Sequence, residues 1–505
     1  MRVSEIVSEL QSAKQLVGCS TDLLNDVDIS LVTTDSRDAN SAGHLFIAYK
    51  GVSVDGHSFL ESCYQSGVRL FVVETTPTQR HADALYLTVK CARHAWSYIC
   101  ALQFGHPERK LTFCAVTGTN GKTSTAWFVH HLLTKLNFRS AYIGTLGILA
   151  HGQLTPAKHT TPDPPDLFAT LAKFAASGIK FVCMEASSQS IVHGRLGPIR
   201  FVAAGFTSFS HDHLDTHGTM ENYLHAKLSL FEDYLLPHAW TFACDKLRSV
   251  LRDTIFFKDE RFKKNFAWYG LISADKDGDV VSCEVSSRRV SGCDIEVNFR
   301  GTKKKAPVGI VGDVFVENFV CALLLAQKIA DSDIPSSIWR EIPLVPGRCE
   351  VIQSKSRNDR PTVIVDYAHT PDGLENVLQN LRAFCANKLI CVFGCGGDRD
   401  PLKRPLMGAI AARLADFVFV TSDNPRTESP DEIIAQIVAG ISPADLKTKV
   451  AVEVGREAAI ARAVATAQKN DLILIAGKGH EDYQIIGKEK LPFDDRLIAL
   501  AELSK

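Results

Sequence analysis

From Leu111 onward the chain alternates short apolar runs with segments of helical periodicity. LTFCAVTG precedes a stretch whose apolar positions Ala126, Val129, Leu132, Leu133 and Leu136 fall on one helical face, and PPDLFATLAKFAASG precedes the run KFVCMEA. Short apolar runs without polar alternation are strands buried on both faces, and their regular exchange with helices predicts βαβ units around a parallel sheet. The pattern continues through FVAAGFTSF to a helix around VENFVCALLLAQKIA, meets the proline-bearing stretch IPLVPGR, and then starts again with the strands PTVIVDY, KLICVFG, DFVFVTS and DLILIAG. Before it, HLFIAYKG, VRLFVVE and ALYLTV read as strands and CARHAWSYICALQF as a helix that ends near His106-Pro107. The predicted architecture is α/β in three domains, 1–108, 109–345 and 346–505.

At roughly 150 residues per domain, 505 residues also suggest about three domains. An apolar content of 45% with 22% charged residues is that of a folded globular chain and argues against long disorder. The 56 basic and 57 acidic residues leave a formal charge of -1. That balance supplies no overall field for gripping nucleic acid or an anionic membrane, so small-molecule partners are expected. No apolar stretch approaches the roughly 20 residues that span a bilayer, and MRVSEIVSEL lacks a signal-peptide core. A cytoplasmic protein without membrane insertion is the expectation. The 14 cysteines form no CxxC pair, which reads as buried thiols in a reducing compartment. Cys391 and Cys395 are the closest pair, with redox chemistry or zinc as the alternative reading.

The segment TGTNGKTS joins the strand at 111–116 to the helix that opens at Lys122. Strand, glycine loop and helix are the context of a phosphate cradle. Gly118 and Gly121 let the backbone of Thr119 and Asn120 approach phosphate oxygens. The helix N-terminus, with Ser124 in its first turn, adds a positive dipole end. Lys122 reaches toward the β- and γ-phosphates and the Thr123 hydroxyl toward Mg²⁺. Val116 stands where the usual pattern has its first glycine, and a plain glycine turn before a helix is the alternative. A GTPase is disfavoured, because Asn387-Lys388 is followed by no aspartate to read guanine. Glu185 ends the run KFVCMEA, where a carboxylate is either a Mg²⁺ ligand or a solvated strand edge. The cluster HDHLDTHG at 211–218 is either a polar turn or, by composition, a zinc site, although its histidine spacing is not the helical i, i+4 pair of zinc proteases.

TGTNGKTS, MEASSQ, DHLDTHG, YLHAKLSLF, GRCE, DYAHTPD, FGCGGDRD, SDNPRTE and GKGHEDYQ, read in order over about residues 33–484, resemble the ATP-dependent Mur ligases. The resemblance implies a central P-loop mononucleotide-binding parallel-sheet domain and a C-terminal Rossmann-like domain. It also implies ATP-dependent ligation of meso-2,6-diaminopimelate to the D-glutamyl residue of UDP-N-acetylmuramoyl-L-alanyl-D-glutamate, through an acyl phosphate, in peptidoglycan precursor synthesis. Ligation of L-lysine, a folylpolyglutamate synthase-like ligase and a non-ligating ATP-binding scaffold are the alternatives.

By the same resemblance Lys122, Glu185, His213 and Lys227 are catalytic, with Thr123, Glu185, His213 and Lys227 around Mg²⁺. Lys227 matches a lysine that carbon dioxide or bicarbonate converts to N6-carboxylysine, an anionic ligand for a second Mg²⁺; sequence physics alone reads it as a solvated helix lysine. Asn318, Arg348, Asp366 and His369 lie near the nucleotide. Thr34, Ser36, Val52, Ser53 and Val54 match the uridine-nucleotide pocket, and Thr160, Thr161, Ser187, His193 and Arg195 match positions that hold the muramyl dipeptide. Gln189 stands where a histidine is common and His193 where a glutamine is common. Arg399, Asp423, Asn424, Pro425, Arg426, Gly477 and Glu481 match the incoming amino acid's site. There Arg426 can grip the second carboxylate that distinguishes diaminopimelate from lysine. A monomer is expected.

Overall fold

The computed structural model describes residues 1–505 except 21–25, 52–53, 272–279, 300 and 355–358. The chain forms two compact units: residues 1–117, 138–204 and 216–239 in one, and 118–137, 205–215 and 240–505 in the other.

The first unit opens with a five-stranded sheet in the order Leu16–Cys19, Leu85–Val89, Leu70–Val73, His44–Ile47, Leu31–Thr33. All neighbours are parallel except the edge strand Leu16–Cys19. The period of two sends Leu70 and Val72 into a core with Ile6, Leu10 and Ile99 from the helices Val3–Ser12 and Ala92–Gln103, while Phe71 and Val73 join Phe46, Cys63 and Tyr86 on the opposite face. Both faces are covered, which is why LFVV is apolar throughout. The same unit holds a second parallel set, with Phe181–Glu185 between Thr112–Thr117 and Ser140–Gly144. Two antiparallel strands, Gly147–Ala150 and Gln153–Thr155, follow on the Ser140 side. The last is exposed and polar, and its sequence carries no strand signal.

In the second unit the helix Lys122–Lys135 packs along Asp313–Ala330, with Phe128 and Phe319 edge to face at 5.5 Å. Phe266–Gly270 lies parallel to both Thr241–Cys244 and Val280–Ser282, and Gly292–Phe299 and Thr302–Val308 then close an antiparallel meander. Exposed lysines 303 and 305 on the last strand hide this element from a search for apolar runs. The C-terminal sheet has the order Glu350–Ile352, Thr362–Asp366, Leu472–Ala476, Leu389–Phe393, Phe417–Val420, Val450–Val452, and all but the first strand run parallel. The four apolar runs read from the sequence are its four inner strands. Leu472–Ala476, inserted between strands much earlier in the chain, creates a topological switch point, so the loops after residues 366, 393, 420 and 476 gather at one sheet edge where ligands bind in such folds.

Leu474 is fully buried on the central strand of this sheet, in one core with Leu378 and Met407. We expect Leu474→Ala to lower the unfolding free energy by about 2–5 kcal/mol, measured by urea denaturation followed through far-UV circular dichroism.

Candidate functional site

The phosphate loop is held by the neighbouring segment from Thr207 to Ser210 and by Asp372. Thr119 N–H donates to the Ser208 carbonyl (2.8 Å), Asn120 N–H donates to Ser208 Oγ (2.8 Å), and the Thr207 and Ser208 hydroxyls donate to the Asn120 carbonyl at 2.5 and 3.0 Å. Asp372 accepts from both Asn120 Nδ2 (3.2 Å) and Ser210 Oγ (2.9 Å). Gly118 and Gly121 have φ of +145° and +89°, and a Cβ at either would stand 2.1 Å from Thr207 Oγ1 or 2.5 Å from Asn318 Oδ1. The conformation and the close approach both require glycine. Lys122 Nζ donates to the Gly118 and Thr119 carbonyls at 2.8 and 2.9 Å, so its ammonium lies over the loop. Phosphate oxygens would replace neutral acceptors with charged ones.

A partly open cavity adjoins this loop. Asn120, Gly121, Thr123 and Ser124 line it with Asn318, Arg348, Asp366 and His369, so these predicted nucleotide residues meet in one place. Arg348 lies over the Tyr367 ring at 4.4 Å, and its Nη2 is 3.5 Å from Thr123 Oγ1. Asp366 accepts from the Cys349 and Ala368 N–H groups, both at 2.8 Å, and burial raises its pKa above the usual carboxylate value. His369 is exposed at the rim, with Nδ1 2.9 Å from the Tyr367 carbonyl. Asn376 and Asn380, on the helix Pro371–Arg382, also face the cavity. Nothing in their sequence context singled them out.

In the first unit Glu185 is fully buried at its strand end. Its Oε1 accepts from Tyr142 O–H (2.6 Å) and Thr145 N–H (2.8 Å), and its Oε2 accepts from the Thr145 hydroxyl (3.0 Å). Thr160 reaches the same Thr145 hydroxyl at 3.2 Å, and Thr161 donates to the Glu185 carbonyl at 2.8 Å. Arg195 pairs with Asp163 (3.0 Å) and donates to the Thr161 carbonyl (2.9 Å). Ser187 caps the short helix Ser188–Val192 through Ser190 N–H. Gln189 Nε2 donates to Thr216 at 3.2 Å, and His193 Nδ1 accepts from Arg93 at 2.9 Å. Lys227 is only 1% exposed, on the helix Met220–Asp233, with Nζ 4.3 Å from the centre of the Tyr223 ring. Its burial overturns the reading of a solvated lysine that sequence physics favoured. Thr34 and Ser36 follow the edge strand Leu31–Thr33 half-buried, and Val54 is exposed. Val52 and Ser53 lie outside the described residues.

Among the described residues no three His, Cys, Asp or Glu side chains converge into a metal cage. His213, in the second unit, adopts φ +53° with its side chain 46% exposed and Nε2 3.4 Å from Asp212. No two described cysteines are joined in a disulfide, and burial pushes the thiols of Cys391 and Cys395 up to about 12, which makes them inert at neutral pH.

The C-terminal loops interlock at the switch-point edge. Asn424 donates to Glu481 (2.9 Å), while its Oδ1 accepts from Lys478 Nζ and from Ile485 N–H, both at 3.0 Å. Gly477 has φ +119°, and a Cβ there would lie 2.6 Å from Asp423 Oδ2. Arg456, fully buried, forms two 2.8 Å bonds to Asp495, donates to the Ser422 and Ala476 carbonyls, and comes within 4.0 Å of Asp423. Arg404 grips Glu428 through two bonds of 2.7 and 2.9 Å, and Glu428 is held down at about 2 by it. Arg426, half-buried beside Pro425, donates to the Gly397 carbonyl at 2.7 Å, and Arg399 is exposed. The helix after this loop starts at Pro430 with Ser429 as its N-cap residue. The Asp423-Pro425 turn therefore caps no helix and leaves its carboxylate facing Gly477.

Three family models match the chain: Mur ligase family, catalytic domain, over residues 28–95; Mur ligase middle domain, over 116–326; and Mur ligase, glutamate ligase domain, over 347–479. A UDP-N-acetylmuramoyl-L-alanyl-D-glutamate–2,6-diaminopimelate ligase of Thermosynechococcus vestitus is 40% identical over 90% of this chain and 89% of its own. The chain belongs to the Mur ligase family. A ligase of the same name from Nostoc sp. is 37% identical across 100% of this chain and 99% of its own. A solved structure with that name superposes with a TM-score of 0.64 at 30% identity, over 94% of this chain and 95% of the other. Three α/β domains are thus the architecture of this Mur ligase.

The sequence reading missed the residues that brace the Mur ligase site. Tyr142, Thr145, Arg404 and Arg456 carry no motif of their own, whereas Asp372 ends DYAHTPD and Lys478 stands inside GKGHED, and both could have been singled out. We expect Gly121→Ala to weaken ATP binding by about fivefold to a hundredfold, in line with the roughly 1–3 kcal/mol of a strained backbone position. Titration calorimetry with ATP and Mg²⁺ checks this, with an unchanged far-UV spectrum as the control for folding.

Proposed function

We propose that this Mur ligase joins meso-2,6-diaminopimelate to the D-glutamyl residue of UDP-N-acetylmuramoyl-L-alanyl-D-glutamate with hydrolysis of ATP to ADP and phosphate. The observation that carries this reading is a second polar site beside the nucleotide machinery. Asp423, Asn424, Arg426, Gly477 and Glu481 form an interlocked set of carboxylate, amide and guanidinium groups that ATP binding alone does not need. A scaffold that only switches with ATP has no use for it.

In the proposed reaction the D-glutamyl γ-carboxylate attacks the γ-phosphorus of ATP, giving an acyl phosphate and ADP. The free amine of diaminopimelate then attacks the acyl carbon, the amide forms and phosphate leaves. Positioning and charge neutralisation do most of this work. Lys122 and the N–H groups of the loop hold the β- and γ-phosphates. Asn318, Arg348 and Asp366 hold the rest of the nucleotide. Thr34, Ser36 and the segment around Val54 take the uridine nucleotide, and Thr160, Thr161, Ser187, His193 and Arg195 the muramyl dipeptide. Asp423 and Glu481 accept the ammonium groups of diaminopimelate, and Arg426 with Arg399 meets its distal carboxylate.

Thr123, Glu185, His213 and a carbamylated Lys227 would hold Mg²⁺. The donors are mostly oxygens, as a hard cation needs. A site completed by phosphates and water requires no all-protein cage. When bound, Mg²⁺ supplies charge neutralisation for the transferred phosphoryl group. The burial of Lys227 supports carbamylation by carbon dioxide, which only a neutral amine undergoes and which leaves an anionic oxygen ligand. No helix among the described residues is long and apolar enough to cross a membrane, and we place the enzyme in the cytoplasm as a monomer. Its domains are taken as 1–108 for UDP-sugar binding, 109–345 for ATP and 346–505 for the amino acid.

The deciding assay is phosphate release with ATP, Mg²⁺ and the UDP-muramyl dipeptide, supplied with diaminopimelate, L-lysine or neither. We expect release and a tripeptide product with diaminopimelate alone. Release with lysine would transfer the selectivity elsewhere, and silence in all three would reopen a folate-directed ligase or a scaffold. Arg426→Ala should lower kcat/KM for diaminopimelate by about tenfold to a hundredfold, the worth of a charged hydrogen bond, with ATP binding retained. Lys227→Ala should lose bicarbonate-dependent turnover, and full activity in that variant would remove the carbamate.

A further inference from the structure

The charge balance around His193 singles out a residue that the proposed site does not contain. Arg93 lies in the first turn of the helix Ala92–Gln103, half-buried. Its guanidinium stacks on the Tyr49 ring at 4.4 Å, donates to the Lys50 carbonyl at 3.3 Å and donates to His193 Nδ1 at 2.9 Å. Each of these partners is neutral, and no described carboxylate pairs with Arg93. Arg195 stands close enough to depress His193 together with Arg93, and its own carboxylate, Asp163, is committed to it at 3.0 Å. Of these two half-buried guanidinium groups, only Arg195 has a described carboxylate partner. Burial, then Arg93 and Arg195, push His193 down to about 4. At neutral pH it is an acceptor that steadies Arg93 without adding to the positive charge.

A half-buried guanidinium with no counter-ion is unfavourable until an anion arrives. Arg93 also bridges two segments: Lys50 leads into the loop assigned to the uridine nucleotide, and His193 belongs to the segment assigned to the dipeptide. We propose that Arg93 binds an anionic oxygen of the UDP-muramyl dipeptide, with Tyr49 and His193 fixing the plane of its fork. This inference rests on the muramyl-dipeptide reading above. The anion is the diphosphate or the D-glutamyl carboxylate, which present the same chemistry to a guanidinium.

The test is steady-state kinetics of the full-length protein with each substrate varied in turn, on Arg93→Gln, His193→Gln, His193→Leu and Arg195→Gln. Arg93→Gln should raise KM for the UDP-muramyl dipeptide about tenfold to a hundredfold, with KM for ATP and diaminopimelate nearly unchanged. His193→Gln, which keeps an acceptor for the guanidinium, should raise it less than His193→Leu. Inhibition by UDP and by L-alanyl-D-glutamate separates the two anions: weakening of the first in Arg93→Gln assigns the diphosphate, and weakening of the second the carboxylate. An unchanged KM in Arg93→Gln beside a raised one in Arg195→Gln would overturn the role of Arg93 and keep the site. Unchanged values in both would overturn the dipeptide placement as well. A uniform rise for all three substrates with a lowered melting temperature would make Arg93 structural and also overturn the proposal.

Discussion

Strands covered on both faces have no room for polar chemistry along their length, so it collects where they end. Thr112–Thr117, Phe181–Glu185, Thr362–Asp366, Phe417–Val420 and Leu472–Ala476 are almost entirely buried. The loops or terminal residues that follow them supply the phosphate cradle, Glu185, Asp366, Asp423 and Gly477. Parallel pairing fixes this arrangement, because every strand of such a set delivers its carboxyl end to the same edge. The two carboxylates at strand ends, Glu185 and Asp366, accept from N–H and O–H donors. Hydrogen-bond donors stabilise a buried charge without the flexibility of a long cationic side chain.

The glycines of these loops are closely approached by neighbouring side chains. Gly118 is closed in by Thr207, Gly121 by Asn318, and Gly477 by Asp423. In each case the neighbour is itself a polar group of the site or of its frame. A side chain at any of them would displace a functional atom and not merely strain the backbone, so conformational freedom and close approach are required together.

Much of this was legible from the residues. The ten apolar runs read as strands became strands because an unbroken apolar run reports burial directly, and the glycine loop was found because its context of strand and helix is part of its chemistry. The antiparallel meander over 280–308 escaped because one face is wet and carries lysines, which breaks the apolar run that marks a doubly covered strand. Lys227 shows a deeper limit. Helical spacing places a lysine on a face but cannot say what covers that face, and here the covering group is Tyr223 on the previous turn, within a helix whose own neighbours come from elsewhere in the chain. Arg93 was invisible for the same reason: its partner His193 is 100 residues away.

The arginines of this protein divide by the charge of what they touch. Arg404 and Arg456 are fully buried and each holds a carboxylate through two bonds, Glu428 and Asp495 respectively. Such pairs leave no donor strength for a substrate; they lock loop to loop, and removing one partner would strand a buried charge. Arg93, Arg348 and Arg426 are half-buried, and their described hydrogen-bond and ring partners are a ring, carbonyls, a neutral imidazole or a hydroxyl, with the Asp366 carboxylate close enough to Arg348 to feel its charge. Neutral acceptors orient a guanidinium without discharging its field, so these three present an aimed positive charge to a concave surface. The substrates proposed here bring matching groups: a triphosphate, a diphosphate with a glutamyl carboxylate, and the second carboxylate of diaminopimelate. Pairing of bracing arginines with acids, and of presented arginines with neutral groups, separates rigidity from recognition within one residue type. Composition cannot reveal that separation, because the overall charge of -1 counts both kinds alike.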